Sequence, residues 1–120
     1  FEFYLPKPVI KSYTPTISNV TNVAASTAYL TSYNETGDSV QVFGKVSIDP
    51  TAAGAIEITM NLPVASNLAN DYELAGMAVC NAVNQNLRIL GSASDVARFI
   101  GVVTDIANRD YSFNFAYKKI

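Results

Sequence analysis

The clearest pattern of hydrophobic and polar positions lies between Asp38 and Leu62, where two segments alternate apolar and polar residues. The apolar positions of the first segment are Val40, Val42, Val46 and Ile48, and those of the second are Ile56, Ile58, Met60 and Leu62. A period of two is typical of a strand that buries one face. Because Asp49, Pro50 and Gly54 supply turn residues between the segments, we expect the two strands to pair as a hairpin.

The same alternation predicts further strands along the chain, separated by Asn-, Asp- and Gly-containing turns. Their expected ranges are 25–33, 73–83, 87–91, 97–106 and 111–117. With the central pair and an extended N-terminal segment, this makes about eight strands at the spacing typical of sandwiches. We therefore predict an all-β fold, an antiparallel, jelly-roll-like β-sandwich. A helix over 68–83 is the alternative for that stretch, disfavoured by Gly76 and by the lack of a charged face.

The first 16 residues differ in character from the rest, because Pro6, Pro8 and Pro15 exclude a helix and leave extended backbone. We expect an N-terminal Pro-rich arm or linker over residues 1–16 and one β-sandwich domain over residues 17–120. Two interpretations of the arm stay open. It is either a linker from a longer chain or an arm whose large apolar side chains pack on a neighbouring subunit.

Two predicted strands, at 73–83 and 97–106, are apolar on both faces. An antiparallel sheet in a monomer normally leaves one face to water, so a second dry face indicates contact with another subunit. The predicted oligomer interface comprises Phe1, Phe3, Leu5, Met77, Val79, Ile100 and Val102. The last predicted strand instead carries a ladder of aromatic residues on one face only, which is typical of core packing. That ladder is Tyr111, Phe113, Phe115 and Tyr117.

Composition excludes several classes of function. The net charge is −2 and the eight Lys and Arg residues are scattered, so a nucleic-acid-binding face is not expected. The chain has no histidine and one cysteine, Cys80, which lies in an apolar run and is expected to be buried and inert. No apolar run approaches the ~18 residues of a membrane span.

Catalytic and cofactor motifs are not found either. No phosphate-binding loop and no zinc or calcium signature occurs, so we expect no cofactor, no metal site and no enzyme activity. A small carbohydrate-active enzyme is a further alternative, which would need a pair of carboxylates in one cleft. Most acidic residues instead fall in or beside predicted turns, where they are solvated.

Taken together, three predicted turns offer amide and carboxylate groups beside an aromatic ring, a combination used to bind sugars. The candidate ligand-binding residues are Asn34, Glu35, Thr36, Asp38, Asn67, Asn70, Asp71, Tyr72, Asn84, Gln85 and Asn86. The alternative interpretation is that these are ordinary polar loops.

Three motifs between Thr14 and Asn70 resemble a β-sandwich domain of tailed-bacteriophage structural proteins. They are TNVAASTA at 21–28, V-x-V-x-G-x-V-x-I-D-P at 40–50, and LPVASN at 62–67. The segment IANRDYSFNFAY at 106–117 is similar to the closing strand of that family. The family supplies strand and turn patterns but no functional residues.

The resemblance implies a virion protein, exposed outside the cell, of the tail fibre, receptor-binding or capsid-fibre type, commonly trimeric. Its expected partners are further copies of itself, other virion proteins and a host surface glycan or protein. We therefore predict a non-enzymatic viral structural module that contacts the host surface. The alternative is a purely structural capsid-associated or filament-forming subunit held together by its N-terminal arm.

Overall fold

A computed structural model describes residues 9–120, and within them the chain is nearly all β. The strands are β1 (Lys11–Tyr13), β2 (Ile17–Thr21), β3 (Val23–Ala28), β4 (Thr31–Thr36), β5 (Ser39–Pro50), β6 (Gly54–Asn61), β7 (Leu74–Cys80), β8 (Asn86–Leu90), β9 (Val96–Val103) and β10 (Arg109–Lys118). A 3-10 turn, Asp71–Glu73, precedes β7. The predicted all-β fold is confirmed, with ten strands rather than about eight. The strand interpretation of 73–83 is confirmed over the helix.

The strand pairs are antiparallel, and the sheet order is β1-β4-β5-β10-β7-β8-β9-β6-β2. β3 follows β2 directly after Asn22, which has a φ of 55°, and pairs with the C-terminal part of β5. Because β2 pairs with β6 while β3 pairs with β5, this bent segment bridges two distant parts of the sheet. The sheet is thereby curled into a sandwich-like half-barrel around one core.

The inner face of the curled sheet confirms the residues that the alternation places in the core. Seven apolar residues of β5 and β6 are at most 1% exposed: Val40, Val42, Val46, Ile48, Ile56, Ile58 and Met60. The aromatic ladder of β10 is buried as well, and Phe113 packs edge-on against Phe99 of β9, with ring centroids 5.1 Å apart. Cys80 is buried and unpaired.

The predicted hairpin between β5 and β6 is wrong. β5 pairs with β10, β4 and β3, whereas β6 pairs with β9 and β2. The residues between the strands bond instead to Asn22 at the bend, whose side chain exchanges two hydrogen bonds with the backbone of Ala52, of 2.7 and 3.0 Å. Alternation reports which face a strand buries and does not report its partner.

Further boundaries differ from expectation, and the strands predicted at 73–83 and 97–106 end at Cys80 and Val103. The predicted strand at 25–33 is broken into β3 and β4 at Tyr29, whose carbonyl accepts a 3.0 Å hydrogen bond from the hydroxyl of the fully buried Thr31. Within the predicted arm, β1 pairs with β4 at the sheet edge. The domain boundary at residue 16 stays a prediction, and Phe1, Phe3 and Leu5 lie outside the described residues.

Candidate functional site

The outer face of the sheet carries the side chains that do not contribute to the core. The register of five adjacent strands, β5, β10, β7, β8 and β9, places one outward-facing residue of each strand beside the next. This row consists of Phe43, Asn114, Met77, Arg88 and Ile100. Adjacent strands are about 4.8 Å apart, so members of a row form one continuous surface. Two parts of this surface differ in character, an apolar patch and a groove.

The apolar patch consists of Met77 and Val79 on β7 with Ile100 and Val102 on β9. Met77, Val79 and Val102 are 51%, 47% and 64% exposed, and Ile100 is half-buried. Arg88 of β8 lies between Met77 and Ile100, and a depression of about 300 Å³ crosses the three strands there. The structure therefore places the four predicted interface residues of these strands on one solvent-facing surface. The interface itself stays a prediction.

A groove crosses β5, β10 and β7 beside the apolar patch. Its floor is centred on Ala116, which lies between Gln41 of β5 and Ala75 of β7. A depression of about 400 Å³ extends from Ala116 to Phe43, and another of about 500 Å³ extends from Ala116 to Tyr72. We call the two depressions together the outer groove, and the polar and aromatic side chains of its walls are Ser39, Gln41, Phe43, Tyr72, Glu73, Asn114 and Lys118.

The first group of predicted ligand-binding residues lies where β4 turns into β5, and none of its four members lines the outer groove. Asn34, Glu35 and Thr36 end β4, and Asp38 lies in the next turn, where its carbonyl accepts a 2.7 Å hydrogen bond from the Lys119 amide. The Glu35 carboxylate contacts Nζ of Lys119 at 3.0 Å and Nζ of Lys11 at 3.5 Å. The Lys119 hydrogen bond holds the pKa of Glu35 below its usual range. Glu35 thus joins β1, β4 and the C-terminal residues.

The second group, Asn67, Asn70, Asp71 and Tyr72, lies in the loop before β7. Oε1 of Glu73 accepts hydrogen bonds from the backbone amides of Ala69 and Asn70, at 2.8 and 2.5 Å. These bonds lower the pKa of Glu73 and fix the shape of the loop. Tyr72 is 74% exposed, so the fixed loop presents its ring to solvent.

The third group, Asn84, Gln85 and Asn86, lies beyond the opposite end of β7, about 20 Å from Tyr72. Gln85 is buried, and its Nε2 donates a 2.8 Å hydrogen bond to the hydroxyl of Tyr111. Its Oε1 accepts hydrogen bonds from the amide and the hydroxyl of Thr104, at 3.0 and 3.2 Å. Gln85 therefore joins three segments of the core edge, and the structure does not bring this group to the other two.

The outer face also carries a polar cluster that the sequence pattern does not predict, formed by Tyr29, Lys45, Ser47 and Asp110. Ser47 Oγ lies 3.1 Å from the Tyr29 hydroxyl and donates a hydrogen bond to Asp110. Nζ of Lys45 lies 3.8 Å from Asp110 and 4.3 Å from the centre of the Tyr29 ring. Its members contact one another, so the cluster fastens the β3–β4 link to β5 and β10. Only the alternation of Lys45 and Ser47 is visible in the sequence.

Within residues 9–120, no group of three or more His, Cys, Asp or Glu residues is placed to hold a metal ion. No helix in this part of the chain is long and apolar enough to cross a membrane. The described lining of the outer groove includes a single carboxylate, that of Glu73, rather than the carboxylate pair used in glycoside hydrolysis.

Comparison with known proteins finds similarity in structure only. No protein-family model and no curated protein matches the chain. A structure of the C-terminal receptor-binding domain of avian reovirus fibre sigmaC, from a Zn crystal form, has a TM-score of 0.63 at 8% identity, covering 97% of this chain and 77% of that one. A second crystal form of the same domain has a TM-score of 0.61 at 7% identity, covering 97% and 80%.

The match spans nearly the whole chain, and at such low identity it establishes a shared fold. The matched domain belongs to an avian reovirus fibre and not to a tailed phage, so the sequence resemblance is confirmed at the level of fold type alone. The chain therefore has the fold of a viral fibre-type β domain.

Proposed function

We propose that the chain is a non-enzymatic module of a viral fibre or spike that contacts the surface of a host cell. The observation that carries the proposal is the fold, which a virus receptor-binding fibre domain shares over 97% of this chain. The motifs at 21–28 and 40–50 favour a phage fibre as the specific setting. In that setting the module is part of the virion and is attached to other virion proteins.

The proposed assembly is a homotrimer in which the apolar patch of each copy packs on its neighbour. The supporting observation is that Met77 and Val79 on β7 and Val102 on β9 are about half exposed or more on the outer face, on either side of Asn86 and Arg88 of β8. Exposed apolar side chains grouped around a few polar ones are typical of protein–protein contacts. Burying the patch would remove it from water and hold the receptor-facing loops of three copies together.

Binding of the labelled protein to intact cells tests the proposed function. The full chain is added to a panel of bacterial and animal cell types, and bound label is measured by flow cytometry. We expect saturable binding to at least one cell type, displaced by unlabelled protein. Non-saturable binding across the whole panel would contradict the proposal.

The structural-subunit alternative depends on Phe1, Phe3 and Leu5, which lie outside the described residues. Removal of residues 1–8 tests it while leaving β1 and the rest of the described fold intact. Large polymers that fall to discrete particles on truncation, together with the absence of saturable cell binding, would favour a filament or capsid subunit. A discrete oligomer that survives truncation would favour the fibre module.

A further inference from the structure

The geometry points to the outer groove as a binding site for a short neutral oligosaccharide. This inference rests on the proposed function and deepens it, since it assigns the surface and the ligand class through which the module contacts a host cell. In it, sugar rings stack on Tyr72 and Phe43, and their hydroxyl groups bond to Gln41 and Asn114.

The depth of the outer groove comes from two short side chains that strand pairing brings together. Ala116 and Ala75 are direct neighbours across β10 and β7, and Gln41 completes the row on β5. The neighbouring row toward one end contains Phe43 and Asn114, whose side chains extend farther from the sheet. The groove is thus a depression between larger side chains on the rigid part of the fold.

Its length fits a chain of linked rings rather than a single small molecule. Ser39 and Phe43 mark the two ends on β5, and four residues of strand span about 13 Å. The groove also crosses three strands, from β5 to β7. A ligand that reached both Tyr72 and Phe43 would therefore lie obliquely across the strands.

The walls of the outer groove have the chemistry that sugars require. A sugar ring has an apolar face, which stacks on an aromatic ring, and an edge of hydroxyl groups, which need paired donors and acceptors. Tyr72 and Phe43 are 74% and 41% exposed, so both rings are accessible. The amides of Gln41 and Asn114 each offer a donor and an acceptor, and both residues are exposed.

The charges of the groove favour a neutral ligand. Lys118 and Glu73 line the same depression, so their opposite charges offset each other. The Glu73 carboxylate already accepts hydrogen bonds from two backbone amides. An acidic sugar would gain little from Lys118 beside this carboxylate.

Binding to immobilised glycans tests the inference. The full chain is applied to neutral oligosaccharides of hexose and N-acetylhexosamine units, with sialylated versions of the same chains for comparison. We expect binding to a neutral set, weakened about tenfold by Tyr72→Ala or Phe43→Ala, as for other exposed aromatic anchors. Tyr72→Phe keeps the ring and is expected to keep the binding. Leu30→Ala, which shortens an equally exposed side chain elsewhere, is the matched control.

A second variant fills the groove rather than removing its walls. Ala116→Gln places a longer side chain on the groove floor, and Ala25→Gln makes the same change at an exposed position of β3, away from the groove and the apolar patch. We expect Ala116→Gln to abolish glycan binding and Ala25→Gln to leave it unchanged. Both variants are expected to melt within a few degrees of the parent chain, which separates loss of binding from loss of fold.

The outcomes separate the inference from the proposed function. Saturable cell binding without binding to any neutral glycan would overturn the groove assignment and leave the proposed function in place. Glycan binding that Tyr72→Ala, Phe43→Ala and Ala116→Gln all leave intact would overturn the site. Preferential binding to the sialylated set would overturn the neutral ligand class. Absence of both cell and glycan binding would overturn the inference and the proposed function together.

Discussion

At the residue scale, Glu35 is the point at which three distant segments of the chain meet. Its carboxylate contacts Lys11 of β1 and Lys119 beyond β10. The hydrogen bond from Lys119 lowers the pKa of Glu35 in the folded state. A lowered folded-state pKa contributes stability above the unfolded value of about 4.3, and that contribution is lost as pH falls through the folded value.

Glu35→Gln is therefore expected to lower stability at pH 7 and to flatten the loss of stability as the pH falls below about 4.3. The physical reason is that the amide keeps the shape of the side chain but removes the charge that titrates. Urea unfolding at a series of pH values measures both effects. Asp38→Asn, in the adjacent turn, is the control, because no ion pair involves Asp38 within the described residues. A variant with the full acid sensitivity of the parent chain would contradict the prediction.

Gly76 is a second residue whose identity is set by its surroundings. A Cβ atom at this position would clash with the carbonyl oxygen of Asn114 and lie 2.6 Å from Cα of Phe115. Both are backbone atoms of β10, so relief of the clash requires separation of β7 from β10. We expect Gly76→Ala to cost about 3 kcal/mol or more of unfolding free energy, measured by denaturant titration. Ala75→Ser, one position away and exposed, is expected to change it by less than about 0.5 kcal/mol.

At the element scale, the sequence predicts which face of a strand is buried, but it does not predict which other strand that strand pairs with. Apolar positions of β5 and β6 are buried as expected, because a period of two assigns the inner face without knowledge of the neighbour. The pairing of β5 with β10 joins residues about 70 positions apart, as with Val42 and Phe115. β2 was not predicted as a strand, because four of its five residues are exposed and show no alternation.

The same limit applies to the candidate site. Tyr72 stood out in the sequence as an aromatic ring in a polar loop, and it lines the outer groove. Ala75 and Ala116 did not stand out, because a short side chain forms the floor of a groove only when its cross-strand neighbour is also short. Gln85 resembled an exposed turn residue, yet its bonds to Tyr111 and Thr104 can be recognised only from the fold.

The assignment of buried and exposed faces can be tested by placing an aspartate on each face of β10 in turn. Phe113→Asp places an unpaired carboxylate in the core, where Phe113 is 4% exposed, and is expected to abolish cooperative folding. Ser112→Asp places the same group on the outer face, opposite Lys45, and is expected to leave the protein folded. Circular dichroism melting and one-dimensional proton spectra distinguish the two results. Soluble, cooperatively melting Phe113→Asp protein would mean that the assigned face is wrong.

At the scale of the whole molecule, the outer face divides along β7. Ala75 at its beginning belongs to the outer groove, whereas Met77 and Val79 belong to the apolar patch. A neighbour packed on the patch would cover β7 to β9, whereas Gln41 and Phe43 of the groove lie on β5, two strands away from β7. We therefore expect the proposed assembly and the proposed ligand binding to be separable, and three linked grooves would bind a cell surface with higher avidity than one.

This division predicts what a charge in the apolar patch does. Val102→Asp places a carboxylate at a position that is 64% exposed in the single chain, so the fold is expected to persist while the proposed homotrimer dissociates. Light scattering is expected to show three times the chain mass for the parent protein and one chain mass for the variant. Ser18→Asp, on β2 and outside the patch, is the matched control. Because the groove is separate, the dissociated variant should keep the glycan affinity of a single site and lose avidity for whole cells. A Val102→Asp protein that remains trimeric would show that the copies meet through another surface.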